Sequence, residues 1–64
     1  MPVIQIHLLS GRSDEKKRKL VAKVTEAVCA SLEVEAKDVC IILSEMNHNN
    51  YSIAGQLIQD KPKV

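Results

Sequence analysis

Pro2 follows the initiator Met1 and heads an apolar run, Val3-Ile4-Gln5-Ile6-His7-Leu8-Leu9, which ends in Ser10-Gly11-Arg12-Ser13-Asp14-Glu15. With Met1 removed, the chain begins with a secondary amine, followed ten residues later by a fixed cation. An unperturbed α-amino group titrates at roughly 7.7–8.0, so a sizeable fraction is free base at neutral pH. A neighbouring arginine and an apolar pocket both disfavour the ammonium form and bring that value down to where general-base catalysis is efficient. The proline ring also fixes the direction of the lone pair. A retained Met1 abolishes this chemistry, because Pro2 is then a tertiary amide with no basicity. Each residue alone has a plain alternative. A proline suits the first position of a strand, where no donor is needed, and an arginine before a helix is an ordinary surface residue. Together, a free amine and a fixed cation at this spacing predict an active site.

The other chemistry-bearing residues read as structure. His7 in an apolar strand is expected to be hydrogen-bonded in a core or interface, and His48 in a polar turn to face solvent. Cys29 and Cys40 are expected to be small buried hydrophobes, since nothing adjacent in sequence would stabilise a thiolate. The two cysteines build no disulfide framework, and no cluster of His and Cys has zinc spacing. Neither metal nor cofactor is called for.

The elements that position these residues follow from periodicity. Val3 to Leu9 alternates as a strand, with Ile4, Ile6 and Leu8 on one face and Val3, Gln5, His7 and Leu9 on the other. Both faces are mostly apolar, so both are expected to be covered. Ser10-Gly11 breaks the run. Ser13 is a suitable N-cap for a helix whose first turn carries Asp14 and Glu15, the sign the helix dipole favours. Leu20, Val21, Val24, Ala27, Val28, Ser31 and Leu32 recur at helical spacing, which predicts an amphipathic helix to about Leu32. Glu15, Lys19, Lys23 and Glu26 form its solvated side. Glu33 to Asp38 is a polar connection, and Val39-Cys40-Ile41-Ile42-Leu43-Ser44 is a second β-rich run. Strand, helix and strand in this order predict a right-handed β-α-β unit with two parallel strands. Asn47-His48-Asn49-Asn50 is a turn cluster. Tyr51 to Ile58 is either a short hairpin or an edge segment that pairs with another chain. Gln59 to Val64 is expected to be mobile. The fold class is α+β, as one domain over residues 2–64.

Size and composition point to association. A core in a chain of 64 residues supplies only about 3–5 kcal/mol, and small scaffolds add disulfides, a metal or partner subunits. Here only partner subunits remain. Hydrophobic residues make up 45% of the chain, yet it has one Tyr and no Phe or Trp, a composition suited to a β-branched sheet under one helix with apolar surface left for neighbours. The net charge of +1, with both signs interspersed, argues against nucleic acid as a partner. No apolar run reaches the roughly 18–20 residues that span a bilayer, and Met1-Pro2-Val3 lacks the features of a signal peptide. Unpaired thiols agree with a cytoplasmic protein.

Pro2, the Gln5-Ile6-His7 strand, Gly11-Arg12-Ser13-Asp14-Glu15, Val24-Thr25-Glu26-Ala27 and Glu45-Met46 resemble the 4-oxalocrotonate tautomerase family, over Pro2 to about Gly55. The resemblance implies an isomerase of the tautomerase fold that shifts the double bond of 2-hydroxymuconate-type dienols to give the conjugated 2-oxo acid, as in aromatic-compound catabolism. It implies Pro2 as the base, and a homohexamer built as a trimer of dimers. It implies that Arg12 binds a substrate carboxylate, a task that suits its planar fork. It further implies that the Leu9 backbone amide meets the substrate oxygen and that Tyr51 walls the pocket against water. One position departs from the family pattern. Cys40 stands where the family has its second active-site arginine, on the second strand, and a neutral thiol cannot replace that group. Another group does its work, the substrate differs, or the activity is feeble. Lys37 is expected to project to the opposite strand face and to be a poor substitute. A second kind of subunit could supply the arginine, in a hetero-oligomer of a weakly active or inactive chain. A non-enzymatic assembly module on the same fold is the remaining alternative.

Overall fold

The computed structural model describes residues 1–61. Strand β1 (Val3–Leu9) leads through a short turn to helix α1 (Asp14–Leu32), and the chain returns through a one-turn 3-10 helix (Ala36–Asp38) to strand β2 (Cys40–Met46). The two strands pair in parallel along their whole length, from Val3 opposite Cys40 to Leu9 opposite Met46. Strands β3 (Ser52–Ile53) and β4 (Gln56–Leu57) then form a small antiparallel hairpin, and a second 3-10 turn covers Ile58–Asp60. The expected β-α-β unit with a C-terminal hairpin is therefore present.

Local chemistry sets the helix limits. The Ser13 hydroxyl accepts from the Lys16 amide at 3.2 Å, satisfying one of the donors that a helix start leaves free. Asp14 and Glu15 add the charge the N-terminal dipole favours. The helix ends where Glu33 takes a left-handed conformation, φ 56°. Before the helix, Gly11 takes φ 120°, a conformation closed to residues that carry a Cβ, and so lets the chain turn sharply out of β1.

The helix face that meets the sheet differs from the expected one. The half-covered positions are Lys17, Leu20, Val21, Val24, Thr25, Val28 and Cys29, whereas Ala27, Ser31 and Leu32 are exposed. The stripe thus runs along an i, i+3, i+4 pattern that begins at Lys17. Polar residues take part because their stems are apolar. Long or branched side chains such as Lys17 and Thr25 can cover apolar surface with their carbon atoms while their polar ends reach water. Leu32 falls in the last turn, 59% exposed. Glu15, Lys19, Lys23 and Glu26 are solvated as expected.

The sheet has one covered face and one open face. Ile4, Ile6 and Leu8, with Ile41 and Leu43, point toward α1 and are half-covered. Val3, Gln5 and His7 point the other way and are exposed, so the expectation that both faces of β1 are covered does not hold within one chain. Gln5 donates to the Ser44 hydroxyl at 3.4 Å across this open face, which Ile42 shares. The tail also differs from expectation. Gln59 and Asp60 lie in the second 3-10 turn, held by Gln59 N–H to the His48 carbonyl at 3.1 Å. Residues 62–64 of the expected mobile tail fall outside the described residues.

No described residue is buried, and Cys29 and Cys40 are half-covered within one chain, against the expectation of burial. The surface of 5116 Å² compares with about 4,100 Å² for a compact monomer of this mass, an excess of roughly 1,000 Å². The radius of gyration, 14.9 Å, likewise exceeds the roughly 11 Å of a compact chain of this length. A standard interface removes about 800 Å² per partner, so the excess is of the size that one association event covers. In sedimentation or light scattering at micromolar concentration, the purified protein is expected to show no species of 7.1 kDa. A folded monomer would contradict this reading of the surface.

Candidate active site

The parallel register gives the sheet two chemically different ends. At one end lie Pro2 and Cys40. The Cys40 amide donates to the Pro2 carbonyl at 3.1 Å, which fixes the start of β1 against the start of β2. Val3 and Val39 flank them, and Pro2 and Cys40 are both half-covered. At the other end lie Leu9, Arg12 and the segment leading to Tyr51. Ser10 N–H donates to the Met46 carbonyl at 2.8 Å, so the two strands stop together and their continuations leave from the same edge.

Arg12 sits just outside that edge. Its Nη1 donates to the Leu9 carbonyl at 3.4 Å, a long bond that leaves most of the guanidinium fork available. Its side chain is exposed, and no carboxylate among the described residues pairs with it. Tyr51 is 39% exposed, and its carbonyl accepts from the Ile58 amide at 2.9 Å, which ties it to the base of the β3–β4 hairpin. That hairpin turns on Ala54 and Gly55, both with positive φ, a two-residue type I′ turn. Ala54 at φ 55° carries a strain of about 1–2 kcal/mol that a glycine would not.

Leu9 and Arg12 therefore lie at one end of β1 and Pro2 at the other, while Tyr51 belongs to the base of the hairpin, with no hydrogen bond among the described residues that joins it to Leu9 or Arg12. From Pro2 to Leu9 the extended backbone covers roughly 23 Å, which no side chain spans. Within one chain the amine and the guanidinium cannot serve the same substrate.

A further ionic group holds the Arg12 end together, and the sequence carries no local sign of it. Lys17, one turn into α1, donates to Glu45 Oε1 on β2 at 2.8 Å, with Asp14 at 3.9 Å. The pair bolts the start of the helix to the end of β2, beside the turn that carries Arg12. Its partners are 28 residues apart, so helical spacing could not reveal it. Lys37 lies in the first 3-10 turn and not on a strand, with its ammonium 3.2 Å from Glu35. His7 is exposed on the open sheet face, without the partner that a core histidine would have, and His48 faces solvent as expected. Among the described residues no group of His, Cys, Asp and Glu could hold a metal ion, and no helix is long and apolar enough to cross a membrane.

Comparison with known proteins agrees with this architecture. A family described as tautomerase enzyme matches residues 2–61. A 2-hydroxymuconate tautomerase of Pseudomonas putida is 44% identical over 57 residues, which cover 89% of this chain and 90% of that protein. A 4-oxalocrotonate tautomerase isozyme from Methylibium petroleiphilum superposes with a TM-score of 0.89 at 43% identity, covering 91% of each chain. A heterohexameric 4-oxalocrotonate tautomerase from Chloroflexus aurantiacus superposes with a TM-score of 0.90 at 27% identity, covering 94% of this chain and 97% of that one.

The hydrogen bond to Glu45 raises the Lys17 pKa above its ordinary 10.5, opposed by partial burial and helped by the charges of Glu45 and Asp14. A raised folded-state pKa gives stability that is complete below 10.5 and lost as pH rises through the folded value. In chemical denaturation between pH 9 and 12, roughly the range about the lysine value, the wild type is expected to lose more stability than Glu45→Gln. Parallel curves for the two proteins would show that the ion pair contributes nothing.

Proposed function

This chain belongs to the 4-oxalocrotonate tautomerase family of tautomerase enzymes, and on that premise we propose that it is an isomerase whose amino-terminal proline interconverts enol and conjugated 2-oxo acids. The reading takes residues 2–64 as one domain that is active only as an oligomer. The observation that carries it is the placement of Pro2 and Arg12 at opposite ends of one strand whose far edge has no partner strand among the described residues.

Strand β1 pairs with β2 on one side only. Its other edge offers unpaired N–H and C=O groups, flanked by apolar side chains. A two-fold pairing of β1 with β1 of a second copy, antiparallel about the middle of the strand, sets Val3 against the partner subunit's Leu9. Pro2 then meets the partner subunit's Arg12, and each pair of chains holds two such sites. Three pairs closing over the open sheet faces make the homohexamer, a trimer of dimers.

In that site the Pro2 nitrogen takes the proton of the enol hydroxyl. The electron pair moves along the conjugated chain, and the same proton, or one exchanged with water, returns to a carbon farther on. No net proton is consumed. The partner subunit's Arg12 holds a carboxylate and its positive charge disfavours the prolinium form. The Leu9 amide meets the oxygen on which charge develops, and Tyr51 keeps water from the amine. A site of this kind needs no cofactor, and a small oxo or hydroxy acid is its partner molecule.

Cys40 favours a second reading. On that reading, which rests on a neutral thiol at Cys40, the chain is one half of a hetero-oligomer, weakly active or inactive alone; the Chloroflexus relative is a heterohexamer. Homogeneous hexamers with full activity would exclude it.

Mass spectrometry of the purified protein is expected to show a chain that starts at Pro2. Pro2→Ala is expected to slow tautomerisation by about 10²–10⁴, the usual contribution of a positioned base. Equal rates for the variant and the wild type would remove the proline from the mechanism. Arg12→Ala is expected to lower kcat/KM for acid substrates roughly ten- to a hundredfold, the loss of a charged hydrogen-bond pair. Kinetics unchanged by that substitution would leave Arg12 with a structural role only.

A further inference from the structure

The turn that carries Arg12 has little of its own to hold it. Ser10-Gly11-Arg12-Ser13 joins the end of β1 to the first residue of α1. Gly11 takes φ 120°, and nothing lies within 4 Å of where a side chain there would begin. Arg12 is exposed, and its hydrogen bond to the Leu9 carbonyl is 3.4 Å long. The place of the guanidinium is therefore set by the two elements at the ends of the turn. Strand β1 is fixed by its ladder with β2, up to the 2.8 Å bond from the Ser10 amide to the Met46 carbonyl. The start of α1 needs a separate anchor.

Apolar packing supplies only part of that anchor. The contact of α1 with the covered sheet face is non-directional, so it resists separation more than sliding or rotation. The packing is also open at this end, where Asp14, Lys17, Arg18, Val21 and Leu43 line a groove of about 250 Å³. Beside the groove, Lys17 Nζ meets Glu45 Oε1 at 2.8 Å. Among the described residues this is the sole hydrogen bond or ion pair that joins α1 to either strand. Both of its ends lie next to the Arg12 turn. The Lys17 amide donates to the Ser13 carbonyl at 3.1 Å, so the ammonium and the last residue of that turn belong to one turn of helix. Glu45 stands opposite Leu8, the neighbour of the residue whose carbonyl accepts from Arg12.

From this placement we infer that, granted the reading above in which Arg12 holds a substrate carboxylate, Lys17 and Glu45 are positioning residues whose ion pair sets where that guanidinium stands. Neither touches the substrate. A misplacement of roughly 1 Å in a group that orients a substrate is costly. The proline of the same site belongs to another chain on that reading, so the pair acts on carboxylate binding and leaves the base in place. With 23% and 37% of its two side chains open to solvent, the pair contributes only modestly to overall stability, and loss of position is separable from loss of fold.

The test uses protein verified to start at Pro2 and to keep its oligomeric state, with 2-hydroxymuconate as the substrate. Lys17→Met keeps the apolar stem and removes the charge. It is expected to raise KM about threefold or more, the scale of a partly exposed pair, with kcat nearly unchanged. Glu45→Gln is expected to do the same, whereas Lys17→Arg, which still offers Glu45 a cation, stays near the wild type. A double-mutant cycle distinguishes this from a general loosening of the fold. In an Arg12→Ala background, Lys17→Met is expected to change kcat/KM by less than about twofold, because the group it places is already gone. A larger loss in that background overturns the inference, and so does a KM that neither Lys17→Met nor Glu45→Gln raises. If Lys17→Met does not fold, Glu45→Gln, which keeps the shape of the side chain, goes through the same cycle. If turnover is too slow to follow, the Kd of adipate, a saturated dicarboxylate, replaces KM in every arm. Arg12→Ala alone separates the two levels. If it leaves KM unchanged, the reading of Arg12 fails and the positioning role falls with it. If it raises KM while Lys17→Met and Glu45→Gln do not, Arg12 keeps its role and only the positioning role fails.

Discussion

Strand β1 is extended, fully paired on one side and seven residues long, and those properties constrain the chemistry that can use both Pro2 and Arg12. They hold the amine end and the guanidinium end roughly 23 Å apart, with no freedom to fold one onto the other. Chemistry that uses both groups is therefore chemistry between copies. Folding, association and activity become one linked equilibrium, since whatever stabilises the assembled state also builds the site. On the proposed mechanism, a substitution far from Pro2 that weakens the β1 edge or the open face would act on the reaction as surely as one at Pro2.

The energetics of the lone chain lead to the same conclusion from another direction. One helix covers one face of a two-stranded sheet, and two strands with a single covered face are marginal by themselves. Aliphatic residues supply nearly all the apolar surface, with Tyr51 the sole aromatic. Aliphatic side chains of this kind cover area efficiently only when a second surface meets them closely. Ile42 and Val3, 51% and 57% exposed on the open face, have no such surface in the chain itself. The polar Gln5–Ser44 bond and His7 lie among them. That mixture suits a face that must find one particular partner and remain soluble until it does.

Much of this was legible in the sequence, and the parts that were not share a physical cause. β1, the Ser13 cap, both helix limits and the parallel unit follow from patterns within a dozen residues, where periodicity and capping act. The expected stripe on α1 differs from the observed one because Ala27, Ser31 and Leu32 fit the spacing by type, whereas the half-covered Lys17 and Thr25 are polar by type. A hairpin and an edge segment are indistinguishable in the sequence because the turn carries Ala54 where Asn or Gly would announce φ above zero. Gln59 and Asp60 read as tail because their order comes from the distant His48 carbonyl. At the site, the types of Pro2, Arg12 and Cys40 were evident, but the Lys17–Glu45 bolt joins residues whose nearness is a product of the fold. Spacing along the chain also says nothing of the 23 Å, roughly, that an extended strand puts between two groups.

In a lone chain that begins at Pro2, no second subunit covers the amine, and Arg12 of the same chain lies a strand's length away. Neither the desolvation of a closed pocket nor that guanidinium then acts on the amine. Antiparallel association brings the Arg12 end of one chain to the Pro2 end of another, supplying a guanidinium and excluding water in the same step. Both changes disfavour the ammonium form. On the proposed mechanism the assembly thus creates the base as well as the pocket, because the proton leaves the proline only where a second chain has placed its arginine.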